Sequence, residues 1–429
     1  MKPSTIFIPG REQTVTKELD APDEQVSLER SFVVSTAQRG MVEKHEVALA
    51  DTDLLQFVFD DETSWFCSPG TIEELFPQQT TLNRGAVQAV EIPTTLQAES
   101  DERGFVTDVA LKIVNVFSRK NIHAEVKKLA ADLERKQLEN FSGLYLLNRN
   151  FEFKTFEADQ TSSPYLLFIH GTNSSTKGSF GGLQQQPAVW TALQQNYGSH
   201  ILAFQHETLT KPVLENVLDL VTQLPVNCRL HVVSHSRGGL VGDVLSRFCN
   251  TNEASRGFDK SEAAYLQKEG RTDDLRLIVE IEEAIAGKKI VVEKFVRVAC
   301  PAAGTTLASK RMDHFFNITF NLIGLGTGLS ATPVYSAFKN FMGAIIDSKN
   351  DVNALPGLEA MDPESPFIKA LNSPATQIVL DQPLTIISGK CHVKLNKKAL
   401  FVIVYQGWLV GLEGGYKWCR CFVAHQNFV

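Results

Sequence analysis

The chain has 429 residues, of which 43% are hydrophobic and 21% are charged, and its formal net charge at pH 7 is −7. This length suits one large domain or two moderate ones, and the apolar fraction excludes a wholly disordered chain. The charged residues form no basic stripe, so we expect no nucleic-acid partner.

The N-terminus and the cysteines indicate the cellular compartment in which the protein is expected. The first residues contain no apolar run of the kind that a secretory signal needs. The seven cysteines are an odd number without the spacing of a disulfide framework, which is typical of a reducing compartment. We therefore expect a cytoplasmic protein. The sequence shows no metal, nucleotide or flavin motif, so we also expect no cofactor.

Residues 1–100 are predicted to form a β-rich accessory domain. Trp65 and Cys67 are expected in its core. No group of nucleophile, base or metal ligands occurs here, so we expect the segment to offer a surface for a protein partner. Apolar runs with strand-like content stand between turn-prone residues at Ser31–Ser35, Glu46–Ala50, Leu54–Asp60 and Ala86–Ile92.

Residues 101–140 are predicted to form a long connecting helix. Val109, Ile113 and Val116 recur at helical spacing. A charged portion continues the pattern, with Val126 and Leu133 facing inward.

Strands and helices alternate from residue 141 onward, so residues 141–429 are predicted to form a second domain. A hairpin at 143–157 precedes the apolar run Tyr165–Thr172, which is typical of a strand buried on both faces. A helix, a strand, a helix and the strand Leu230–Val233 follow. This order predicts an α/β fold with a mostly parallel, doubly wound sheet.

The stretch Ser234–Gly239, Ser-His-Ser-Arg-Gly-Gly, has the pattern of a nucleophile elbow and is called the elbow below. It follows a strand and precedes a helix, and Ser236 lies at its centre. Residues around such a serine must be small, because the strand and the helix nearly touch there. Ser234, Gly238 and Gly239 meet that demand. An ordinary strand-to-helix turn is the alternative.

A serine nucleophile also needs donors for the negative charge that develops on the substrate oxygen. His170-Gly171-Thr172 ends the apolar strand, and Gly171 lets the backbone turn toward the elbow. The backbone N–H groups of Thr172 and Arg237 are therefore candidate oxyanion donors. His170 is expected to order the loop rather than to react. A plain strand end with a β-turn is the alternative.

Three motifs together resemble the α/β-hydrolase superfamily, in its lipase-like branch of triacylglycerol lipases and GPI-inositol-deacylase-like proteins. They are Phe168–Thr172, Val233–Gly239 and the loop Pro301–Ala308, and the resemblance covers about residues 143–390. It implies an enzyme that cleaves an acyl ester, with Ser236 as the nucleophile of an acyl-enzyme. A small-molecule or lipid-like acyl substrate is then expected.

The acid and the base of this machinery are harder to place. In the resembled family the order along the chain is serine, acid, histidine, and Ser236, Glu413 and His425 follow it. Asp381 is a weaker acid candidate. The tail 406–429 is atypical for the family, and His425 lies four residues from the last residue of the sequence. An incomplete triad would instead leave a catalytically impaired pseudo-hydrolase that serves as an interaction scaffold.

The stretch Phe315–Phe338 is apolar and carries no charge. It is long enough for a membrane span, but Asn317, Asn321 and several glycines interrupt it. We therefore favour a cap or lid insertion at about 310–350 over the active site, with plain core helices as the alternative, and we expect no transmembrane span.

Overall fold

The structure is a computed structural model. It describes the following residues: 5–15, 26–35, 43–60, 63–76, 80–82, 88–96, 109–119, 126–158, 163–305, 312–322, 332–347, 355–373, 384–388, 390–393, 403–406 and 422–425.

The strands are β1 Thr5–Gln13, β2 Val26–Val34, β3 Lys44–Ala48, β4 Leu54–Phe59, β5 Ser64–Cys67, β6 Thr80–Leu82, β7 Gln88–Glu91, β8 Thr95–Leu96, β9 Val109–Arg119, β10 Gly143–Leu147, β11 Phe153–Thr155, β12 Tyr165–Ile169, β13 Ile201–Gln205, β14 Arg229–His235, β15 Val291–Val298, β16 Leu384–Ser388, β17 Lys390–Val393, β18 Ile403–Gln406 and β19 Phe422–His425.

The α-helices of the described residues are α1 Ile72–Leu75, α2 Val126–Gln137, α3 Thr176–Phe180, α4 Pro187–Tyr197, α5 Val213–Gln223, α6 Gly238–Phe248, α7 Lys260–Lys268, α8 Thr272–Ala286, α9 Met312–Leu322, α10 Pro333–Asp347, α11 Pro356–Glu359 and α12 Pro366–Leu371.

The chain divides into two compact units. The first takes in residues 1–129, 312–350 and 391–404, and the second takes in residues 130–311, 351–390 and 405–429. The first unit therefore combines the N-terminal β-rich segment with the stretch for which the sequence predicted a lid.

The first unit contains a nine-stranded sheet with the order β5-β4-β9-β2-β1-β7-β6, where β3 pairs with β1 and β8 pairs with β9. Every pair in it is antiparallel except β1 with β7. The strands expected near residues 31, 46, 54 and 86 are confirmed as β2, β3, β4 and β7.

The predicted helix over residues 101–140 is wrong for its first half. Residues Val109–Arg119 form β9, which pairs with β2 on one side and β4 on the other. Val109, Ile113 and Val116 are β-branched, and such side chains fit a sheet better than a helix. Pairing with two neighbouring strands overrides the helical spacing, and among the described residues of this stretch only Val126–Gln137 is helical.

Helices α9 and α10 supply part of the core of the first unit. The side-chain amide of Asn317 accepts a hydrogen bond from the N–H of Phe66 at 2.7 Å and donates to its carbonyl at 2.8 Å. Asn321 does the same at Ser64. The ring of Phe66 packs against Phe320 and Phe338. These contacts agree with core helices, the alternative to a lid. Among the described residues, no helix is long and apolar enough to cross a bilayer.

The second unit contains an eight-stranded sheet with the order β11-β10-β13-β12-β14-β15-β16-β19. The five neighbours from β13 to β16 run parallel, and the outer strands are antiparallel. Strand β12, Tyr165–Ile169, is buried along its whole length, as its uninterrupted apolar sequence predicts. The carboxyl ends of β12 and β14 meet at one edge of this sheet.

The predicted fold class needs a correction. The chain is mixed α/β with two large sheets, and the nine-stranded one is antiparallel apart from one pair. A mostly parallel sheet therefore does not describe the whole chain. The sequence pattern of alternating strands and helices occurs only in the second unit, and parallel pairing is correspondingly concentrated there.

Candidate active site

Ser236 lies between a strand and a helix in a backbone conformation that L-residues rarely adopt. Strand β14 ends at His235, α6 begins at Gly238, and Ser236 has a φ of 52°. Its N–H donates to the carbonyl of Val298 at 2.8 Å. A non-glycine residue at positive φ costs about 1–2 kcal/mol, and such strain gathers at functional sites.

The turn is as tight as the small residues of the elbow predicted. A Cβ on Gly238 would lie 2.5 Å from the carbonyl oxygens of both Ile169 and His170. A Cβ on Gly239 would collide with the side chain of Cys300. Glycine is therefore required at both positions, because backbone atoms and the side chain of Cys300 occupy the space.

The loop after β12, residues 170–175, approaches Ser236 directly. A Cβ on Gly171 would lie 2.7 Å from the Cβ of Ser236. Thr172 is buried, and the next residue, Asn173, has a φ of 47°. Among the described residues, no hydrogen bond uses the N–H of Thr172 or of Arg237. Thr172 follows Gly171 and Arg237 follows Ser236, so both N–H groups belong to residues beside this contact, and their donor capacity is uncommitted within this part of the chain.

His170 is fully buried beneath the same loop, and its hydrogen bonds fix the conformation of that loop. Its Nδ1 donates to the carbonyl of Gly171 at 3.0 Å, and its Nε2 accepts the N–H of His206 at 3.2 Å. These partners assign the proton to Nδ1. Burial lowers the pKa of His170 to about 4, so the ring is neutral near pH 7. The pKa of His206 is also lowered by burial, and the two rings lie 4.2 Å apart.

Arg237 turns away from solvent, and its guanidinium reaches acceptors in the loop after β13, in α5 and in α11. Nε donates to the carbonyl of Gly357 at 2.9 Å, one Nη to Oδ1 of Asn216 at 2.9 Å and the other to the carbonyl of Lys211 at 2.7 Å. The side chain is fully buried. Burial lowers its pKa to about 10, against the attraction of Glu134, and the group stays charged at pH 7.

Glu134, on α2, supplies the carboxylate whose attraction raises the pKa of Arg237, and it organises the loop after β13. It accepts the backbone N–H groups of Thr208, Leu209 and Thr210, and the hydroxyl of Thr210 at 2.6 Å. Burial raises its pKa, and these hydrogen bonds counteract the rise. Only 3% of the residue's surface is exposed.

The third motif of the resemblance is described as far as residue 305. Gly304 has a φ of 81°, and a Cβ there would lie 2.6 Å from the backbone nitrogen of Pro363. The N–H of Thr305 donates to the carbonyl of Met361 at 2.7 Å. The glycine of this motif therefore permits a close approach between two segments of backbone.

The structure does not bring His425 to Ser236. The backbone of His425 ends β19 and pairs opposite Thr385 of β16. Strands β15 and β16 lie between β19 and β14, so the sideways separation is about 14 Å at the usual strand spacing. The two acid candidates, Glu413 and Asp381, lie outside the described residues.

Sequence reasoning missed Glu134, Asn216 and Gly357. Glu134 belongs to a charged helical run, in which nothing distinguishes a buried carboxylate from its exposed neighbours. Asn216 and Gly357 stand far from the elbow along the chain, and only the fold brings them to Arg237. Within the described ranges, no group of three or more His, Cys, Asp or Glu side chains is arranged to hold a metal ion.

The fold and the site define a mixed α/β protein with a serine held in a strained turn at the carboxyl edge of parallel strands. The chain belongs to the family described as Domain of unknown function (DUF7379), whose sequence profile matches residues 135–259 and 275–402. Comparison with curated proteins finds no match.

Solved structures similar to this chain include bacterial lipases. Lipase BlEst2 of Bacillus licheniformis in its mature form is 15% identical, over 51% of this chain and 68% of that one, with a TM-score of 0.24. Its propeptide form is 16% identical, over 47% and 35%, with a TM-score of 0.21. The Staphylococcus hyicus lipase is 14% identical, over 51% and 65%, with a TM-score of 0.26.

Proposed function

We propose that the second unit is an α/β-hydrolase domain and that the protein is a serine hydrolase of the lipase or esterase type. The observation that carries the proposal is the left-handed backbone of Ser236, at the turn between β14 and α6. Strain of this kind exposes a serine hydroxyl at the end of a buried strand, where a substrate carbonyl can reach it. Ser236 is accordingly half-buried, whereas Ser234 and Arg237 in the same elbow are buried.

In this proposal the Oγ of Ser236 attacks an acyl carbonyl and forms a tetrahedral intermediate. The N–H groups of Thr172 and Arg237 donate to the developing oxyanion, and the N-terminus of α6 adds its positive dipole end. On collapse of the intermediate, the base that took the proton of Ser236 gives it to the leaving alkoxide, which departs as the alcohol and leaves an acyl group on Ser236. Water then attacks the acyl-enzyme, and the carboxylic acid leaves.

The proton of the Ser236 hydroxyl needs a base, and the order along the chain assigns that role to His425, oriented by Glu413. For His425 to accept this proton, the C-terminal strand has to leave the register in which it pairs with Thr385. The substrate class that the site supports is a small-molecule or lipid-like acyl ester.

Covalent labelling by a fluorophosphonate probe tests the proposal. We expect the wild-type protein to be labelled and Ser236→Ala to be unlabelled. Ser234→Ala is a matched control, since it removes a buried hydroxyl two residues away and keeps the side chain small. Folded wild-type protein that takes up no probe, or equal labelling of Ser236→Ala, would refute the assignment.

A second candidate function is that of a non-catalytic scaffold that keeps the elbow but lacks a working base. The register of β19, which places His425 opposite Thr385 and three strands from β14, favours it. The two candidates differ in turnover of short-chain p-nitrophenyl esters. Turnover that His425→Ala abolishes supports the enzyme. Wild-type protein without turnover that binds a protein partner reproducibly supports the scaffold.

A further inference from the structure

We propose that Arg237 is a positioning residue, which together with Glu134 presets the two N–H donors of the oxyanion site. The inference rests on the proposed function and deepens it. Arg237 plays two parts through two different groups. Its backbone N–H is a candidate oxyanion donor, and its side chain anchors that donor to the surrounding loops.

The guanidinium of Arg237 immobilises this residue next to Ser236. Its three hydrogen bonds, of 2.7 to 2.9 Å, go to Lys211 in the loop after β13, Asn216 in α5 and Gly357 in α11. A planar group with donors in fixed directions satisfies three such acceptors in only one orientation. Two features therefore restrain the backbone of Arg237: the hydrogen bonds of its own side chain and its position at the start of α6.

The positions of both candidate donors, the N–H groups of Thr172 and Arg237, depend on the same loop, residues 206–211, which follows β13. The hydroxyl of Thr208 accepts the N–H of Asn173 at 2.9 Å, and Asn173 directly follows Thr172. The carbonyl of Lys211 accepts from Arg237 at 2.7 Å. A displacement of this loop would consequently move both candidate donors.

Buried groups fix this loop from two sides. Glu134 binds three of its consecutive N–H groups. On the other side, the N–H of Gly357 donates to the carbonyl of Leu209 at 3.0 Å, while the carbonyl of Gly357 accepts from Arg237. A Cβ on Gly357 would collide with the carbonyl of Thr208, so this contact also requires glycine.

The energetics favour a role in positioning over one in stability. Removing a carboxylate and a guanidinium from water is unfavourable, and well-packed apolar residues of similar volume often stabilise a fold as well or better. The arrangement does supply a fixed geometry. Oxyanion catalysis depends on that, because a misplacement of about 1 Å can lower the rate by about 100-fold.

The test compares two buried arginines, Arg237 at the N-cap of α6 and Arg247 within α6. Arg247 is also fully buried and bound to a carboxylate, that of Glu262 at 2.7 Å, but it lies ten residues after Arg237 and binds none of the loops above. The variants are Arg237→Met, Arg237→Lys and Glu134→Gln, with Arg247→Met and Arg247→Lys as matched controls. The measurements are ester-hydrolysis kcat and KM, the affinity for a phenylboronic acid that forms a charged tetrahedral adduct on serine, and urea unfolding.

We expect Arg237→Met to lower kcat by about 100-fold, and Arg237→Lys and Glu134→Gln by about tenfold, with KM changed less than about threefold. Boronate affinity should fall in parallel with kcat, because the adduct carries its charge where the oxyanion forms. The Arg247 variants should lose stability and retain kcat. Should Arg237→Met fail to fold, the Lys variant and Glu134→Gln decide the question.

Equal kcat in Arg237→Lys, Glu134→Gln and the wild type would overturn the inference and leave the proposed function intact. Parallel losses of kcat and stability in the Arg237 and Arg247 series would overturn it as well, since both arginines would then be merely structural. Wild-type protein without labelling or turnover would overturn the proposed function, and the inference with it.

Discussion

A Cβ placed on Gly171 would lie 2.7 Å from the Cβ of Ser236 and 3.1 Å from the carbonyl oxygen of His235. The loop after β12 therefore contacts the elbow at Gly171, where there is no room for a side chain. We expect Gly171→Ala to push the loop away from Ser236, lowering the rate of fluorophosphonate labelling by at least tenfold and stability by about 1–3 kcal/mol. Gly182→Ala is the control, since its Cβ would meet nothing within 4 Å. Unchanged labelling of Gly171→Ala would contradict this contact.

The strained backbone of Ser236 predicts an unusual order of stabilities. Glycine adopts a φ of 52° without steric cost, whereas alanine does not. We expect Ser236→Gly to unfold with a free energy about 1 kcal/mol higher than Ser236→Ala, as measured in urea. At Ser234, inside β14, glycine should instead be the less stable of the two by about 0.5–1 kcal/mol. The same order at both positions would count against strain at Ser236.

The buried His170 predicts a loss of stability in acid. Its folded pKa of about 4 lies below the unfolded value of about 6.5, so the unfolded chain takes up a proton first as the pH falls. The contribution is complete above pH 6.5 and is lost progressively down to pH 4, amounting to about 3 kcal/mol at 1.36 kcal/mol per unit of pKa. Below pH 4 this residue causes no further loss.

Urea unfolding at a series of pH values measures this dependence. His170→Gln keeps a donor and an acceptor but does not titrate, so its stability should fall less steeply between pH 6.5 and 4. Val232→Ala, a core truncation on the neighbouring strand β14, should lower the whole curve without changing its slope. An unaltered slope in His170→Gln would show that other groups cause the acid loss.

The buried ion pair of Arg247 with Glu262 predicts strong coupling in a double-mutant cycle. The two side chains are exposed by 2% and 0%, and the guanidinium also stacks over the ring of Phe258 at 4.8 Å. Either Arg247→Met or Glu262→Leu should cost about 3–5 kcal/mol, because each leaves an unpaired buried charge. The double variant should cost much less than the sum of both. Additive costs in urea unfolding would argue against the pair.

The local motifs of the site could be predicted from the sequence because each depends only on residues that are close together in the chain. Ser236 with its glycines specifies a tight turn through residue size alone, and the structure shows that turn. The buried strand Tyr165–Ile169 follows in the same way from an uninterrupted apolar run. Chemistry at these positions stays a prediction that the labelling experiment tests.

Features that depend on distant partners could not be read in this way. Strand β9 has the spacing of a helix and becomes a strand because β2 and β4 pair with it. Glu134 looks like a solvated helix residue and is buried because the loop after β13 supplies it with backbone donors. The role of His425 depends on a pairing with β16 that its own neighbours in the sequence do not specify.

The hydrogen bond from the N–H of Phe66 to Asn317 joins residues that are 251 positions apart. During synthesis the ribosome releases the nine strands of the first sheet long before α9 and α10 exist. Until then the ring of Phe66 has none of the partners that Phe320 and Phe338 later provide. The N-terminal segment therefore exposes this apolar surface until α9 and α10 are made, and we expect a fragment that stops near residue 129 to aggregate rather than fold.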